Sequence, residues 1–394
     1  MNRREVKKAP VLRFKGFTND WEQRKFENLV SRLSKTSNNE SLPNVTYDDI
    51  KSKENSLNKD ITELTHGKKG IHFNKDDILV GKLRPYLGNI LLARFNGIAV
   101  GDFWVLSPKD NNISSFLFDL IQTSKYKYIS NLSSGSKMPR SDWNLVSKAS
   151  FWVPIQQEQN KIGKIFQLID NLVSLQQRKL KLLRTLKSGL SFKLFNKKHL
   201  NNLSQISLDQ IGRTYSGLTG KSKKDFGHGH AFYVSYLNVN QNEIGNPKQI
   251  DRIEIDKKQN LVQKNDIFFT ISSETPEEVG LTSLWPVSCK NLYLNSFCFG
   301  FRINTKMFIP LYLGYLFRSE YFREKVLPLA QGISRYNLSK NNVLKIKIGQ
   351  EEIAIQEKYA KVMNDLDSDI LRQKKKVKEL KLCKKFLPPI VKSN

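Results

Sequence analysis

Two short segments of the sequence have the residue types of a catalytic or metal-binding site. Residues 216–222, Ser-Gly-Leu-Thr-Gly-Lys-Ser, resemble a phosphate-binding loop, but that motif requires a glycine where Tyr215 stands. His228 and His230 could share a metal ion, yet no cluster of cysteines or carboxylates lies close to them in the sequence. We therefore predict no catalytic residue and no metal site, and we interpret both segments as polar loops that can contact phosphate groups.

Several other loops combine Lys or Arg with glycine, serine and aromatic residues. Cationic side chains can bind phosphates or the edge of guanine, and glycine and serine allow a backbone to come close to DNA. The predicted DNA-contacting residues of the first half are Lys82, Arg84, Tyr86, Lys125, Lys127, Ser136, Lys137 and Arg140. Those of the second half are Ser216, Thr219, Lys221, Lys223, Lys224, Ser334, Arg335 and Tyr336. Any one of these loops, taken alone, could equally be a solvated surface.

The charge of the whole chain favours a polyanionic partner. Its 394 residues include 65 Lys or Arg and 37 Asp or Glu, which gives a formal net charge of +28. With 39% hydrophobic and 10% aromatic residues, the chain can form folded cores. It has no apolar run near the ~20 residues that span a bilayer, no apolar signal sequence, and no CxxC pair among Cys289, Cys298 and Cys383. We therefore expect a reduced, cytoplasmic protein that does not bind a membrane.

An internal repeat organises the predicted loops. A shift of 197 residues aligns positions 135–190 with 332–387, and 14 of these 56 positions are identical. Unrelated sequences would share roughly three or four, so the chain contains two copies of one unit of nearly 200 residues. The loops at Gly135 and Gly332 are equivalent in the two copies, which strengthens their assignment as DNA contacts. A weaker similarity relates residues 74–80 to 263–269.

Each copy of the repeat has two parts. The first part contains short apolar runs separated by Gly, Asn, Ser and Pro, a pattern typical of strands and loops. We predict few helices there, at residues 114–129 and at the matching residues 311–326. The second part is a long helix whose apolar residues recur at steps of three and four, as in a coiled coil. The predicted helix-pairing residues are Ile165, Ile169, Gln176, Leu183, Val362, Leu366, Gln373 and Leu380.

The two long helices each carry an apolar stripe that must be covered. We predict that they pair with each other in an antiparallel manner, with Gln176 and Gln373 near the middle of the pair. A polar residue in such an interface fixes its register at some cost in stability. The alternative is that each helix packs only on its own strand-rich domain.

The combination of features resembles the specificity subunit of a Type I restriction–modification system. The resemblance rests on residues 10–25 and 215–229, on the helix starts at 154–159 and 350–356, and on the repeat. The second helix start departs from the family pattern because Glu351 stands where the first has Pro154. The resemblance implies an α+β fold of two mixed α/β target-recognition domains, related by a pseudo-two-fold axis and separated by two long antiparallel coiled-coil helices. The implied domains are 1–150 (first target-recognition domain), 151–200 (first spacer helix), 201–349 (second target-recognition domain) and 350–394 (second spacer helix).

The resemblance also implies a function without catalysis in this chain. The protein would recognise a bipartite, asymmetric site in double-stranded DNA and direct adenine methylation or restriction by two modification and two restriction subunits. S-adenosylmethionine, ATP and Mg²⁺ are expected on those partners, and no cofactor is expected in this chain, which lacks an Asn-Pro-Pro-Tyr/Phe methyltransferase signature. The helices would set the unread gap between half-sites, and their outer faces would bind the modification subunits.

Two other functions are compatible with a basic, helix-containing chain. The first is a coiled-coil scaffold that binds DNA without sequence preference, since residues 161–198 contain ten Lys or Arg and one acid. The second is a self-contained nuclease or methyltransferase. The absence from the sequence of an acid-rich metal motif or a cofactor-binding loop argues against this second alternative.

Overall fold

The computed structural model describes residues 13–52, 54–58, 61, 67–132, 138–333 and 335–386. The chain divides into two compact units, Met1–Arg178 with Lys375–Asn394, and Lys179–Lys374. Both boundaries fall inside long helices. Each unit therefore contains one strand-rich domain and a segment of both long helices.

The first unit contains two four-stranded sheets. Its strands are β1 (Glu22–Lys25), β2 (Val30–Leu33), β3 (Thr36–Ser37), β4 (Asn44–Val45), β5 (Ile50–Lys51), β6 (Ser56–Leu57), β7 (Gly70–Phe73), β8 (Ile78–Gly81), β9 (Ile90–Leu92), β10 (Gly97–Ala99), β11 (Phe103–Pro108) and β12 (Ser150–Val153). One sheet has the order β2-β11-β8-β9 and is antiparallel throughout. The other has the order β3-β7-β10-β4, with β4 parallel to β10. Two further pairs, β1-β12 and β5-β6, are antiparallel.

The central strands of this unit are buried on both faces. Successive side chains of a strand point to opposite faces, and Ile78 and Val80 accordingly pack in one core with Trp104. Leu79, between them, packs in the other core with Phe103. A strand that is covered on both faces needs a continuous run of apolar residues, whereas a strand with one solvent-exposed face needs an alternating one.

The second unit repeats the same sheet. Its strands are β13 (Gln205–Ser207), β14 (Gly212–Ser216), β15 (Phe226–Val234), β16 (Ile250–Ile253), β17 (Ile267–Thr270), β18 (Ser272–Ser273), β19 (Thr282–Leu284), β20 (Leu292–Leu294), β21 (Cys298–Ile303), β22 (Tyr336–Asn337) and β23 (Lys347–Gly349). The order β14-β21-β17-β19 is equivalent to β2-β11-β8-β9, and β13-β23 is equivalent to β1-β12. Phe268 faces one core while Ile267 and Phe269 face the other, as at β8.

Eleven α-helices accompany the strands in the described part of the chain. They are α1 (Ser114–Ile121), α2 (Ser124–Ser130), α3 (Trp143–Lys148), α4 (Gln156–Leu194), α5 (Lys197–Asn202), α6 (Leu208–Ile211), α7 (Tyr236–Gln241), α8 (Pro310–Leu316), α9 (Glu320–Val326), α10 (Lys340–Leu344) and α11 (Ile353–Phe386). No helix of the described residues has the length and apolarity needed to cross a membrane.

The prediction of one helix at 114–129 and one at 311–326 was wrong, because each segment is two helices. The chain turns into extended backbone at Thr123 (φ −66°, ψ 157°) and at Ser319 (φ −69°, ψ 158°). Each hydroxyl donates to the carbonyl three residues earlier, at 2.7 Å for Thr123 and 2.6 Å for Ser319. Ser and Thr side chains that bond nearby backbone in this way favour helix ends over helix interiors.

A buried glutamine anchors the start of each long helix to its own domain. Gln159 accepts from the Ile113 N–H at 3.0 Å and donates to the Pro154 carbonyl at 3.0 Å. Gln356 accepts from the Ile309 N–H at 2.8 Å and donates to the Glu351 carbonyl at 2.8 Å. The two glutamines are equivalent in the repeat, and their bonds satisfy backbone groups that would otherwise be buried without partners.

The second helix starts at the equivalent residue although Pro154 has no counterpart. Helix α4 begins at Gln156 and α11 begins at Ile353, 197 residues later. Glu351, in the position of the proline, is 4% exposed and its carboxylate lies 2.6 Å from His199 Nε2. A buried carboxylate needs such a partner.

Two equivalent ion pairs join the long helices. In the first unit, Lys384 Nζ lies 2.5 Å from Asp170 Oδ1, and in the second unit Lys187 Nζ lies 2.6 Å from Asp367 Oδ1. As the residue number on α4 rises, that of its partner on α11 falls, which is the sense of an antiparallel pair. Lys187 also binds Glu243 at 2.6 Å and so ties the helices to the loop after α7.

The buried positions of α11 include one predicted pairing residue, Gln373, together with Met363, Ile370 and Val377. Met363 packs in the core of the second domain. Asp367 lies in the same series and contacts Lys187 of α4, a charged pair that the apolar pattern does not predict. The remaining predicted pairing residues are only partly buried: Ile165, Ile169, Gln176, Leu183, Val362, Leu366 and Leu380.

Candidate DNA interface

The loop after β8 is held by the segment that carries Arg140. Leu83 and Arg140 form an isolated antiparallel bridge, and the Arg84 N–H donates to the Pro139 carbonyl at 2.7 Å. Arg84 has φ +49°, in the left-handed region, immediately before Pro85. The turn brings two predicted DNA contacts, Arg84 and Arg140, onto neighbouring backbone segments.

Asp102 organises the cationic side chains around this loop. Its carboxylate lies 2.8 Å from Arg140 Nη2 and 3.5 Å from Lys82 Nζ. The Tyr47 hydroxyl donates to the Asp102 carbonyl at 2.6 Å and accepts from the Leu83 N–H at 3.1 Å. Burial raises the pKa of Tyr47 to about 12, so the hydroxyl remains a neutral donor at physiological pH. Arg140 is still 62% exposed and can reach a ligand.

The other described candidates of the first unit lie on the same loop and on α2. Tyr86 and Lys127 are exposed, and both line a cavity of about 420 Å³ between the loop and α2. Lys125 Nζ lies 5.5 Å from the centroid of the Phe151 ring, a cation–π distance. Tyr86 and Lys127 therefore border one region, and Lys125 packs against the core beside it.

In the second unit, Lys221 holds its loop in place. Its Nζ lies 2.8 Å from Asp256 Oδ2, and its side chain is only 13% exposed. The hydrogen bond from Lys221 lowers the pKa of Asp256, with further bonds from the Lys258 N–H and the Gln259 amide. Lys221 is thus engaged with a carboxylate that stays ionised over the physiological range.

Lys223 and Lys224 are exposed cations of this loop. They lie on a 3₁₀ turn, Lys223–Asp225, whose N-terminal end is capped reciprocally by the Ser222 and Asp225 side chains. The Gln259 side chain holds both the N–H and the carbonyl of Thr219, at 3.0 and 3.1 Å. A three-residue turn lacks the long helix start that a nucleotide-binding phosphate loop uses.

The segment around Arg335 forms a second edge of this region. Gln331 and Asn337 exchange both backbone hydrogen bonds, at 2.9 and 2.8 Å, which brings the exposed Arg335 to the surface. Ser216 Oγ accepts from Lys340 Nζ at 2.6 Å and so connects this segment to the strand β14. Tyr336 is half-buried beside it.

Three predicted contacts lie outside the described residues: Ser136, Lys137 and Ser334. Within the residues that the structure does describe, no group of three or more His, Cys, Asp or Glu could hold a metal ion. The His228 imidazole instead lies 3.0 Å from Glu254 and 2.8 Å from the Lys224 carbonyl.

The comparison with known protein families decides what this arrangement is. Residues 18–185 match the family model of the Type I restriction modification DNA specificity domain. The match covers the first strand-rich domain and most of helix α4. It confirms the resemblance found in the sequence, and the family is one of non-catalytic DNA-recognition components of restriction–modification complexes.

Solved structures extend the similarity to nearly the whole chain. The S subunit of a Type I restriction–modification system from M. genitalium has a TM-score of 0.64 at 16% identity, covering 98% of this chain and 100% of that chain. A chain from a type I restriction–modification system solved for its complex assembly and conformational transition has a TM-score of 0.52 at 13% identity, covering 92% and 95%. At these identities the similarity is one of fold, and the predicted α+β fold with its repeat is confirmed.

The repeat adds one candidate loop that sequence reasoning missed. The bridge between Leu83 and Arg140 has its counterpart in the pairing of Ser272 with Asn337. The loop after β17, residues 272–278, is therefore the equivalent of the loop after β8. The prediction from amino-acid composition chose residues 216–224 instead, because they are rich in lysine whereas the loop after β17 is rich in acidic residues. The weak similarity of 74–80 to 263–269 was the signal that could have found it.

Proposed function

We propose that this specificity subunit binds one bipartite, asymmetric site in double-stranded DNA and that each unit reads one half. The observation that supports this most is the equivalent backbone pairing in the two units, Leu83 with Arg140 and Ser272 with Asn337. The pairing holds a loop in the same place on the same sheet, while the side chains on the loop differ. A shared scaffold with different side chains is suited to two half-sites of different sequence.

The chemistry of the two loops supports different base preferences. Lys82, Arg84 and Arg140 in the first unit can donate to guanine edges and to phosphates. In the second unit, Asn337 has the amide that suits adenine, and the exposed Glu274 can accept from the amino group of cytosine. Each good bidentate pair contributes about 1–3 kcal/mol of discrimination between bases.

The long helices suit the role of a spacer between half-sites. Helix α4 has 39 residues and α11 has 34, which at a rise of 1.5 Å per residue correspond to about 58 and 51 Å. One turn of DNA is about 34 Å, so helices of this length can separate two reading loops by more than a turn.

The partner subunits supply the chemistry in this proposal. Two modification subunits carry S-adenosylmethionine and methylate adenine, and two restriction subunits carry ATP and Mg²⁺, all in the cytoplasm. Leucines on the outer face of α4, such as Leu168 and Leu175, are exposed and suit contact with a modification subunit. The net charge of +28 suits a chain that stays bound to the DNA phosphates while the partner subunits methylate or cleave the DNA.

An exchange of domains tests the proposal. Replacing residues 1–150 with those of another specificity subunit should change one half of the methylated sequence, and replacing 201–349 should change only the other half. Sequencing of adenine methylation in cells that carry the complete system reads both halves directly. A swap that altered both halves would contradict the assignment of one half-site to each unit.

Binding measurements separate this function from that of a basic scaffold. A labelled duplex that contains the recognised motif is bound at fixed salt and then challenged with unlabelled DNA. The concentration of random DNA needed to displace it should be about 10³-fold or more higher than that of unlabelled DNA with the motif, which is the ratio typical of specific DNA-binding proteins. Equal displacement would favour a scaffold without sequence preference.

A further inference from the structure

The candidate interfaces of the two units are built on the same backbone arrangement. In the first unit, the Lys82 N–H donates to the Asp102 carbonyl at 2.9 Å, and the Ser141 N–H donates to the Lys82 carbonyl at 2.8 Å. Lys82 therefore lies on a central segment, between Asp102 and the segment that carries Arg140. The Asp102 carboxylate holds both cations, so this part of the first unit is charged.

The second unit repeats this arrangement with different side chains. The Ile271 N–H donates to the Phe297 carbonyl at 2.9 Å, and the Leu338 N–H donates to the Ile271 carbonyl at 2.9 Å. The residues in the places of the lysine, the aspartate and the arginine of the first unit are Ile271, Phe297 and Asn337. All three are uncharged. Ile271 packs against the core of its unit, whereas Phe297 and Asn337 are exposed.

Phe297 presents an aromatic ring to solvent on a backbone that is held in place. The residue is 52% exposed, although phenylalanine is usually buried. Its N–H donates to the side-chain oxygen of the buried Asn295 at 2.9 Å, and the Asn295 amide donates to the Val234 carbonyl at 3.0 Å. An exposed ring on a fixed turn suits contact with a ligand, because little conformational freedom is lost on binding.

Phe297 lies between the two candidate DNA-contacting loops of its unit. The lysine-rich loop packs against one side of the turn. There a Cβ atom on Gly217 would lie 2.0 Å from the Asn295 carbonyl oxygen and 2.8 Å from that of Cys298, so the absence of a side chain allows the backbones to lie close together. On the other side, the Phe297 carbonyl accepts from the residue that precedes the loop at 272–278.

We propose that Phe297 is a specificity-determining residue of the second unit and that its ring contacts the 5-methyl group of a thymine in the half-site. The inference rests on the proposed function. The methyl group of thymine lies in the major groove and is recognised by apolar contact, which a phenylalanine ring provides. The neighbouring Asn337 suits adenine, so the two residues together favour A·T pairs. One position of the repeat thus holds cations in the first unit and reads a methyl group in the second.

The spacing of Phe297 and Asn337 fits a single major groove. Phe297 and Leu338, which follows Asn337, lie on opposite sides of Ile271. Neighbouring strands are about 4.8 Å apart, so the two backbones are separated by about 10 Å. The major groove of B-DNA is about 12 Å wide, which allows both side chains to reach the same few base pairs.

Replacing thymine with deoxyuridine tests the inference, because this change removes only the 5-methyl group. The motif read from methylated DNA is prepared as a set of duplexes in which each thymine in turn is replaced. Their binding to the chain assembled with its modification subunits is measured by fluorescence anisotropy. At one thymine of the second half-site, the replacement should weaken binding about fourfold, as expected for one buried methyl group. Phe297→Ala should abolish this difference at that position alone.

A matched variant and a second readout complete the experiment. Leu237→Ala should keep the fourfold difference, because Leu237 is similarly exposed in the same unit but lies on α7. The turn at Phe297 is held by backbone groups and by Asn295, so circular dichroism should report an unchanged fold in Phe297→Ala. In cells, the methylated motif of Phe297→Ala should become degenerate at one A·T pair of the second half and stay unchanged in the first half.

Two results would overturn the inference. One is equal binding of the thymine and deoxyuridine duplexes by the wild-type complex at every position of the second half-site. The other is a Phe297→Ala variant that binds both duplexes more weakly but with an unchanged ratio, as removal of a ring inserted between base pairs would cause. Failure of the wild-type complex to distinguish the motif from random DNA would contradict the proposed function itself, and the inference with it.

Discussion

Replacing Gln356 with leucine removes the side chain that anchors the start of α11 to the second domain. The glutamine is fully buried. It donates to the carbonyls of Met307 and Glu351 at 3.0 and 2.8 Å, and it accepts from the Ile309 N–H at 2.8 Å. Leucine has a similar size and offers none of these bonds.

The cost of this change follows from three backbone groups, of which the Glu351 carbonyl is buried and the Met307 carbonyl and Ile309 N–H are part-buried. A buried polar group left without a partner costs about 1–3 kcal/mol, so about 2 kcal/mol for the buried group and about half as much for each of the other two gives about 4 kcal/mol. The additional apolar burial of leucine offsets about 1–2 kcal/mol. We therefore expect the free energy of local opening to fall by about 2 kcal/mol, which is roughly a thirtyfold increase in the opening equilibrium.

Hydrogen exchange measured by mass spectrometry locates the effect. In Gln356→Leu, amides of α8 should exchange roughly thirtyfold faster, while those of α1 in the other unit should not change. Gln159→Leu should give the opposite distribution because Gln159 makes the equivalent bonds in the first unit. Glu357→Leu, at an exposed neighbouring position, is the control. Equal acceleration in both units, or none, would refute the anchoring role.

Three further predictions concern single side chains. Burial, together with Asp170, raises the pKa of Asp119 well above its ordinary value, so the folded chain binds this proton more tightly than the unfolded chain. The free energy of unfolding therefore falls as the pH rises from the unfolded-state pKa of Asp119 through its folded-state pKa. Asp119→Asn should raise the Tm at pH 8, and this gain in Tm should vanish near pH 4. Burial raises the pKa of Cys298 to about 12, so at pH 8 maleimide should label the exposed Cys383 first; rapid labelling of Cys298 would contradict this. Asp102→Asn removes the carboxylate that holds Arg140 and Lys82. When DNA binding is measured by fluorescence anisotropy, the slope of log affinity against log salt concentration should steepen by up to about one. An unchanged slope would place this loop away from the phosphates.

The sequence predicted the long helices and the repeat well because both depend on local periodicity. Both helices begin at residues related by the 197-residue shift, although only the first has a preceding proline. The breaks at Thr123 and Ser319 were missed because the apolar spacing continues across them. The hydroxyl bonds that end those helices leave no signal in an apolar pattern.

The predicted interface was limited by its reliance on composition. Lysine-rich loops were selected, but Lys221 proves to be held by Asp256, which is 35 residues away. The loop at Ser272 was overlooked because it is acidic, and its equivalence to the loop after β8 depends on strand pairing. In the helix pair, Asp367 was left out of the interface since its partner Lys187 is 180 residues away. In each case the environment of a charged residue is set by residues that are distant in the sequence.

Each copy of the repeat contributes one aspartate and one lysine to the two ion pairs between the long helices. Within each copy of the repeat the aspartate and the lysine are 17 residues apart, as in Asp170 with Lys187 and Asp367 with Lys384. One copy therefore carries both charges needed to pair with a second identical copy about a two-fold axis, which is the geometry of an isologous dimer. The chain has the design of a homodimer fused into one polypeptide. Because the two copies are encoded separately within one chain, a mutation changes only one of them. The reading loops of one copy can therefore diverge while those of the other stay unchanged.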